Sequence, residues 1–507
     1  MGRVQACGQL TDMVDGVADI LQQRRAGVLL HPGSLPGPGP SGEIDSAAYR
    51  FADFLAQAGF SVWQTLPLCP VDSTGSPYQS CSVFAAEPSL ISVEGLVQWG
   101  LVEASEITAT ERMGAKPGHR RTMHTARVRF ERSAAPELRT AYQRFLEEQA
   151  YWLEDYALYQ AIHDVERAPW YEWPAALRDR DQAALVNARE DLADALAQIR
   201  FEQFVFDRQW AALKHYANAR GIYLFGDLPI FVAHDSADVW AARENFHIDE
   251  AGRMTQVAGV PPDYFSADGQ LWNMPLYRWD WLASHGYSWW IQRMRRQREL
   301  FDLIRIDHFR GFESAWAVEA GAKTAINGQW TPGPGRELFD CLREQAGDIA
   351  LVAEDLGFIT AEVDALRDAL GLPGMRVLQF AFDSDAANPH LPHNHVPQLV
   401  VYTGTHDNDT TLGWWLGVSD QLKSRVIGYL GACADMRVPE GLNRCALASV
   451  ARLAMLPLQD VLGLDSQGRM NTPGTAKGNW AWRFEQTALT PELASRYRRL
   501  LETYGRC

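Results

Sequence analysis

Four acidic side chains stand at or just past the ends of short apolar runs. Asp227 follows the run 222–225, Asp307 the run 303–306, Glu354 the run 349–353, and Asp407 the run 399–403. Carboxylates converging on one point can serve two chemistries. They can hold a hard cation such as Mg²⁺ through oxygen. They can also drive glycoside transfer, one attacking the sugar while another protonates the leaving oxygen. These residue types leave both open. Arg305 lies two residues before Asp307, so in a strand both face one side. A fixed cation there favours an ionised carboxylate, the form a nucleophile needs. The apolar run before Glu354 is the kind of surrounding that raises a carboxyl's pKa toward the range of an acid/base. A single Asp after a strand is usually a cap or turn residue; four at strand ends shift the balance toward chemistry.

These side chains need strands to aim them. Apolar runs occur at 27–30, 62–68, 222–225, 303–306, 349–353, 377–382 and 399–403, with an eighth near 455–458. Their length suits parallel strands buried on both faces. Helical spacing appears between them: Phe51, Phe54, Leu55 and Phe60 recur on one face, as do Val363, Leu366 and Leu370 within 361–370. The alternation predicts an α/β fold, a (β/α)8 TIM barrel with inserted, mainly helical subdomains, whose strand C-termini carry the chemistry. Residues 1–24 read as an N-terminal segment and 25–507 as the catalytic barrel. Within the barrel, roughly 95–200 read as a mainly helical insertion, because Leu146, Ala150, Leu153, Ala157 and Ala161 share a face over 140–163 and a second helical stretch spans 182–210. Gly and Pro content marks 33–42, 259–269 and 331–335 as loops.

Composition narrows the partners. The chain has 507 residues, 47% hydrophobic and 22% charged, enough for a large core. A net charge of −16 argues against nucleic acid and anionic membrane surfaces, which are met by basic patches. No apolar run is long enough to span a bilayer. The first 24 residues carry Asp12, Asp15 and Asp19 and do not read as a signal peptide. Seven cysteines without a CxxC pair suit reduced thiols and a cytoplasmic location. Neither a Walker sequence nor a Rossmann fingerprint occurs, so no cofactor is expected, and no metal is required if the carboxylates serve sugar chemistry. Oligomeric state is not readable from the sequence.

Longer motifs make the reading specific. RAGVLLHPGSLPGP from Arg25, WQTLPL from Trp63, SPYQS from Ser76, GDLPIFVAHDSADVW from Gly226, GVPPDYFSADGQLW from Gly259, RIDHFRGFE from Arg305, AEDLG from Ala353, GTHDNDTT from Gly404 and GNWAWR from Gly478 stand in order along the chain. Together they resemble the 4-α-glucanotransferases of glycoside hydrolase family 77, the amylomaltases or disproportionating enzymes, from about residue 25 to 483. The resemblance implies transfer of α-1,4-glucan segments between maltooligosaccharides. It implies Asp307 as nucleophile, Glu354 as general acid/base and Asp407 as the third carboxylate, holding sugar hydroxyls. It implies that Arg305 and His406 line that subsite, that Tyr78 is an aromatic platform and that Asp227 supports the arginine. The stretch 257–272 resembles the family's acceptor-site loop, with Asp263, Gln270 and Trp272 as sugar contacts, and Asn479 adds a polar one. The chain departs from the family pattern at Gly33, at Ala86-Glu87 and at Asn273-Met274; none touches the three carboxylates. An amylase-type hydrolase would share those carboxylates, whereas a silent glucan-binding protein would be expected to have lost one.

Overall fold

The computed structural model describes residues 20–72, 74–107, 116–262, 266–431, 437–475 and 477–507. Among these described residues twelve strands follow one another: Arg25–Leu29 (β1), Val62–Gln64 (β2), Tyr223–Leu228 (β3), Gln256–Val260 (β4), Gln270–Pro275 (β5), Leu303–Ile306 (β6), Ser314–Glu319 (β7), Gly328–Pro332 (β8), Leu351–Ala353 (β9), Gly374–Val377 (β10), Leu399–Tyr402 (β11) and Leu453–Pro457 (β12). Eight of them form one parallel sheet in the order β10-β11-β12-β1-β2-β3-β6-β9. Its two ends meet where the Ala353 amide donates to Pro373 O at 2.9 Å. This is the expected barrel, nearly closed. The other four strands form an antiparallel sheet, β5-β4-β7-β8. Both halves of that small sheet are excursions flanking β6: β4 and β5 precede it and β7 and β8 follow it.

Alternation along the strands sorts residues between two cores. Phe225, Leu303, Val352, Val62, Met375 and Val400 cluster inside the barrel. Leu224, Ile304, Ile306 and Ala353 face outward and join the larger cluster shared with the helices. Two residues beyond the apolar layer, the inward positions turn polar: Gln64, Asp227, Arg305 and Glu354, all buried. Gly27 admits this packing. A Cβ there would lie 2.6 Å from Met455 Sδ and 2.7 Å from Val62 O, closer than van der Waals contact allows.

Several boundaries differ from the sequence reading. The run 377–382 is not a strand; β10 ends at Val377 and the chain turns into a short 3₁₀ helix, Leu378–Phe380. Leu378 and Ala381 are buried in that turn, and buried turns and buried strands have the same apolar composition. The stretch 140–163 is two helices, Pro136–Glu148 and Ala150–Glu166, separated at Gln149. There the Gln149 side chain accepts from Trp152 Nε1 at 2.7 Å and donates to Glu299 at 3.2 Å. Helix Ala193–Asn218 is 26 residues long and runs unbroken through residue 200. It packs on β3, and its Trp210 donates to Leu300 O at 2.8 Å. The Gly- and Pro-rich stretches at 259–269 and 331–335 begin inside strands β4 and β8. Among the described residues no helix is long and apolar enough to cross a membrane.

Asp355 reinforces the seam between β9 and β10. Its buried carboxylate accepts from the Met375 amide at 2.6 Å, from Arg376 at 3.0 Å and from Arg367. Removing one partner of a buried charge network leaves the others uncompensated. Asp355→Ala is therefore expected to lower the unfolding free energy by about 3–5 kcal/mol, measured as a fall in the urea midpoint with an unchanged m-value.

Candidate active site

Strand register brings the acidic groups together. Asp227 pairs with Arg305 and Leu228 with Ile306 across β3 and β6; Arg305 pairs with Val352 and Ile306 with Ala353 across β6 and β9. Asp307 and Glu354 are thus each the first residue past a matched pair. The ladder continues through them: Asp307 N donates to Leu228 O, and Glu354 N to Ile306 O, both at 3.0 Å.

Arg305 ties the cluster. Its Nη1 reaches both oxygens of Asp227 at 2.7 Å, and its Nη2 reaches Asp307 Oδ1 at 2.8 Å. Arg305 and Asp227 are buried, whereas the Asp307 side chain remains 29% exposed. Burial pushes the Asp227 carboxyl up, and Arg305 pulls it back. The Tyr78 hydroxyl donates to Asp227 Oδ2 at 2.8 Å. Asp227 thus contacts both Arg305 and Tyr78.

Glu354 sits in a different environment. Burial, then the nearby Asp307 charge, push its carboxyl up, while Arg305 and two amides oppose, leaving it at about 7. Those amides are His308 N, 2.7 Å from Oε2, and Leu356 N, 2.9 Å from Oε1. His308 can point its amide there because its backbone is left-handed, φ 49°, a conformation uncommon for residues other than glycine. Phe309 N then donates to Glu354 O at 3.1 Å. The backbone that follows Asp307 therefore wraps the Glu354 carboxyl.

The third acid lies across the mouth. His406 Nε2 is 3.4 Å from Asp407 Oδ1, and Asp407 is half exposed. Asn471 Nδ2 donates to Asp407 Oδ1 at 2.6 Å, and Arg469 donates to Asp407 O at 2.8 Å. Tyr78 stacks on His406, with ring centroids 5.1 Å apart and planes 14° apart, and Trp480 packs against both at 5.8 and 5.9 Å. From the other side, Trp272 stands edge-on to His308 at 4.7 Å and donates to Gln270 Oε1 at 3.2 Å. Gln270 and Trp272 belong to β5, paired with β4. Asp263 lies outside the described residues. Asn479 spends its side chain on its own loop, accepting from Thr472 N and donating to Thr475 O.

Neighbours of this site not picked out from the sequence include His308, Asn471 and Trp480. His308 and Trp480 lie within RIDHFRGFE and GNWAWR, where a resemblance marks the motif but only packing marks the residue. Asn471 has no local signal, because its partner is 64 positions away.

Such a mouth offers a carboxylate paired with a guanidinium, a buried carboxyl able to hold a proton near neutrality, and flanking aromatic faces. Comparison with known proteins agrees. Residues 30–489 match the family model described as 4-alpha-glucanotransferase, Glyco_hydro_77. The chain belongs to that family, and it is a 4-alpha-glucanotransferase. It is 47% identical over 503 residues to the 4-alpha-glucanotransferase of Thermus thermophilus, covering 95% of this chain and 99% of that one. It is 44% identical to the chloroplastic/amyloplastic 4-alpha-glucanotransferase of Solanum tuberosum, covering 96% and 87%. Among solved structures it is similar to the amylomaltase of Streptococcus agalactiae in complex with acarbose, with TM-score 0.91 and 33% identity over 96% of this chain and all of that one.

Two predictions come from this geometry. Glu354 binds a proton in the folded state at pH values where the unfolded chain has lost it, between its ordinary 4.5 and about 7. Folding stability contributed by this group therefore falls as pH rises through that window. If Glu354 supplies the proton in catalysis, kcat/KM likewise declines as pH rises through about 7; a flat profile across pH 6–8 would contradict this. Second, Arg305→Lys keeps the charge but cannot bridge two carboxylates with one planar fork. Misplacing Asp307 in this way is expected to cost roughly 10²-fold in kcat, read by steady-state transfer assays.

Proposed function

We propose that the enzyme transfers α-1,4-glucan segments between maltooligosaccharides by a two-step retaining route. Asp307 attacks the anomeric carbon as Glu354 protonates the departing 4-oxygen, so the glycosidic bond breaks while a glycosyl–Asp307 ester forms. The 4-hydroxyl of a second glucan then attacks, giving its proton to Glu354 as the ester bond breaks and Asp307 leaves as carboxylate. Each step inverts the anomeric centre, and two inversions amount to retention. The observation that carries this reading is the contrast at two adjacent strand ends: Asp307 is ion-paired at 2.8 Å, while the buried Glu354 is held near 7.

The remaining groups take roles around that pair. Asp407 and His406 bind hydroxyls of the reacting sugar, with Tyr78 as a platform beside it. Arg305 keeps Asp307 in line, and Asp227 holds Arg305. The stretch 257–272, with Asp263, Gln270 and Trp272, orients the acceptor and excludes water, which lets a sugar hydroxyl outcompete hydrolysis. Asn479 shapes the loop that presents Trp480. In this reading residues 25–507 form one catalytic unit into which the helices of 95–200 are inserted, and residues 1–24 precede it. The free cysteines, Cys69, Cys81, Cys341, Cys445 and Cys507 among the described residues, favour the cytoplasm.

The test is incubation of the purified protein with maltotriose, with products resolved by chain length and Asp307→Asn as control. The expected outcome is a ladder of longer maltooligosaccharides plus glucose, at constant total reducing ends, absent from the variant. Rising reducing ends with only shorter sugars would make the protein a hydrolase and overturn the acceptor argument.

A further inference from the structure

Two backbone segments leave the Asp307–Glu354 pair side by side. They are joined by the Phe309 amide on Glu354 O at 3.1 Å and, further out, by Arg310 Nη1 on Phe358 O at 2.6 Å. Where they end, an aromatic surface begins. Phe358 is 59% exposed. Its ring is nearly parallel to that of the partly exposed Trp330, at 14° and 6.1 Å between centroids, and Trp330 meets Trp316 at 5.0 Å. Arg310 lies beneath: its guanidinium carbon is 3.7 Å from the Trp330 centroid and 5.6 Å from that of Phe358. Arg310 is itself buried and anchored to Ser314 Oγ at 3.0 Å.

This arrangement does more than pack a core. Phe358 belongs to none of the core clusters among the described residues, and with Trp330 it forms a contiguous exposed aromatic face of the kind that marks a place where something binds. Cation–π contact with a buried, anchored arginine holds both rings in fixed planes, so little conformational freedom is lost when a ligand arrives. The surface lies close to the catalytic mouth. Phe358 stands four positions past Glu354, so their Cα atoms lie within about 14 Å. Flat, rigid, uncharged aromatic faces suit the apolar C–H faces of pyranose rings.

We propose that Phe358 and Trp330, supported by Arg310, form a remote subsite for the far arm of a linear α-1,4-glucan. It would be occupied by chains long enough to extend beyond the reacting sugars and out of reach of maltotriose. The inference rests on the glucan-transfer reading above for its choice of ligand.

The test compares wild type and Phe358→Ala with maltotriose and with maltoheptaose as substrates. The expected result is a KM for maltoheptaose raised about three- to tenfold, the scale of one lost aromatic contact, with maltotriose KM and both kcat values moved less than twofold. Phe358→Trp should restore the long-chain KM. Calorimetric binding of maltoheptaose to Asp307→Asn, with and without Phe358→Ala, reads the same subsite without turnover and should weaken by the same factor. Equal KM values for wild type and Phe358→Ala on maltoheptaose would overturn the subsite. So would parallel losses on both sugars, which would make Phe358 a structural cover for Arg310. Should wild type build no ladder from maltotriose, the transfer reading falls, and the calorimetric arm still decides whether this surface binds glucan.

Discussion

The site depends on one buried guanidinium shared between two carboxylates. Arg305 sits inside the barrel just above its apolar layer, where an unpaired charge would be costly. Bonds to both Asp227 oxygens on one side and to Asp307 on the other offset its desolvation and leave it few alternative positions. Because a guanidinium is planar and forked, fixing it on Asp227 also fixes the direction in which it presents Nη2 to Asp307. Tyr78 extends the chain of contacts, bonding Asp227 through its hydroxyl and stacking its ring on His406. One electrostatic unit therefore links the residues around Asp307 to the opposite wall of the mouth.

The environment of Glu354 is set against this unit. Asp307 opens toward solvent and is matched by a cation; Glu354 is enclosed, accepts from two backbone amides, and is pushed up to about 7 by burial. Two carboxyl groups one strand apart are thereby given different surroundings by position alone. The left-handed backbone at His308 turns an amide toward Glu354 immediately after Asp307, which positions the carboxyl and partly opposes the rise that burial causes. The small antiparallel sheet adds a second layer of control. Its excursions bracket β6, so the strand that bears Arg305 and leads into Asp307 is flanked in sequence by Trp272 on β5 and Trp330 on β8.

Much of this was legible in the residues. The runs before Asp227, Asp307, Glu354 and Asp407 are strands or end in strands because parallel strands buried on both faces demand continuous apolar sequence. The face shared by Arg305 and Asp307 follows from a period of two. The run 377–382 misled for the same reason that the others succeeded: burial selects apolar residues without regard to backbone geometry, and a buried 3₁₀ turn has the composition of a strand. Glycine and proline content at 259–269 and 331–335 concealed the strand ends within β4 and β8, because pairing partners distant in sequence, not local propensity, hold those segments extended.

Local chemistry thus determined which residues could react and which side of a strand they occupy, since both follow from covalent spacing and strand periodicity. Tertiary structure decided how they are coupled. The register of β3, β6 and β9 sets Asp227 beside Arg305 and Asp307 beside Glu354; the closure of the barrel across β9 and β10 brings Asp355 against Arg376; and the return of the chain at Arg469 and Asn471 braces Asp407 from 64 positions away. Contacts of that kind arise when distant segments are brought to one point by packing, and no window of sequence contains both partners.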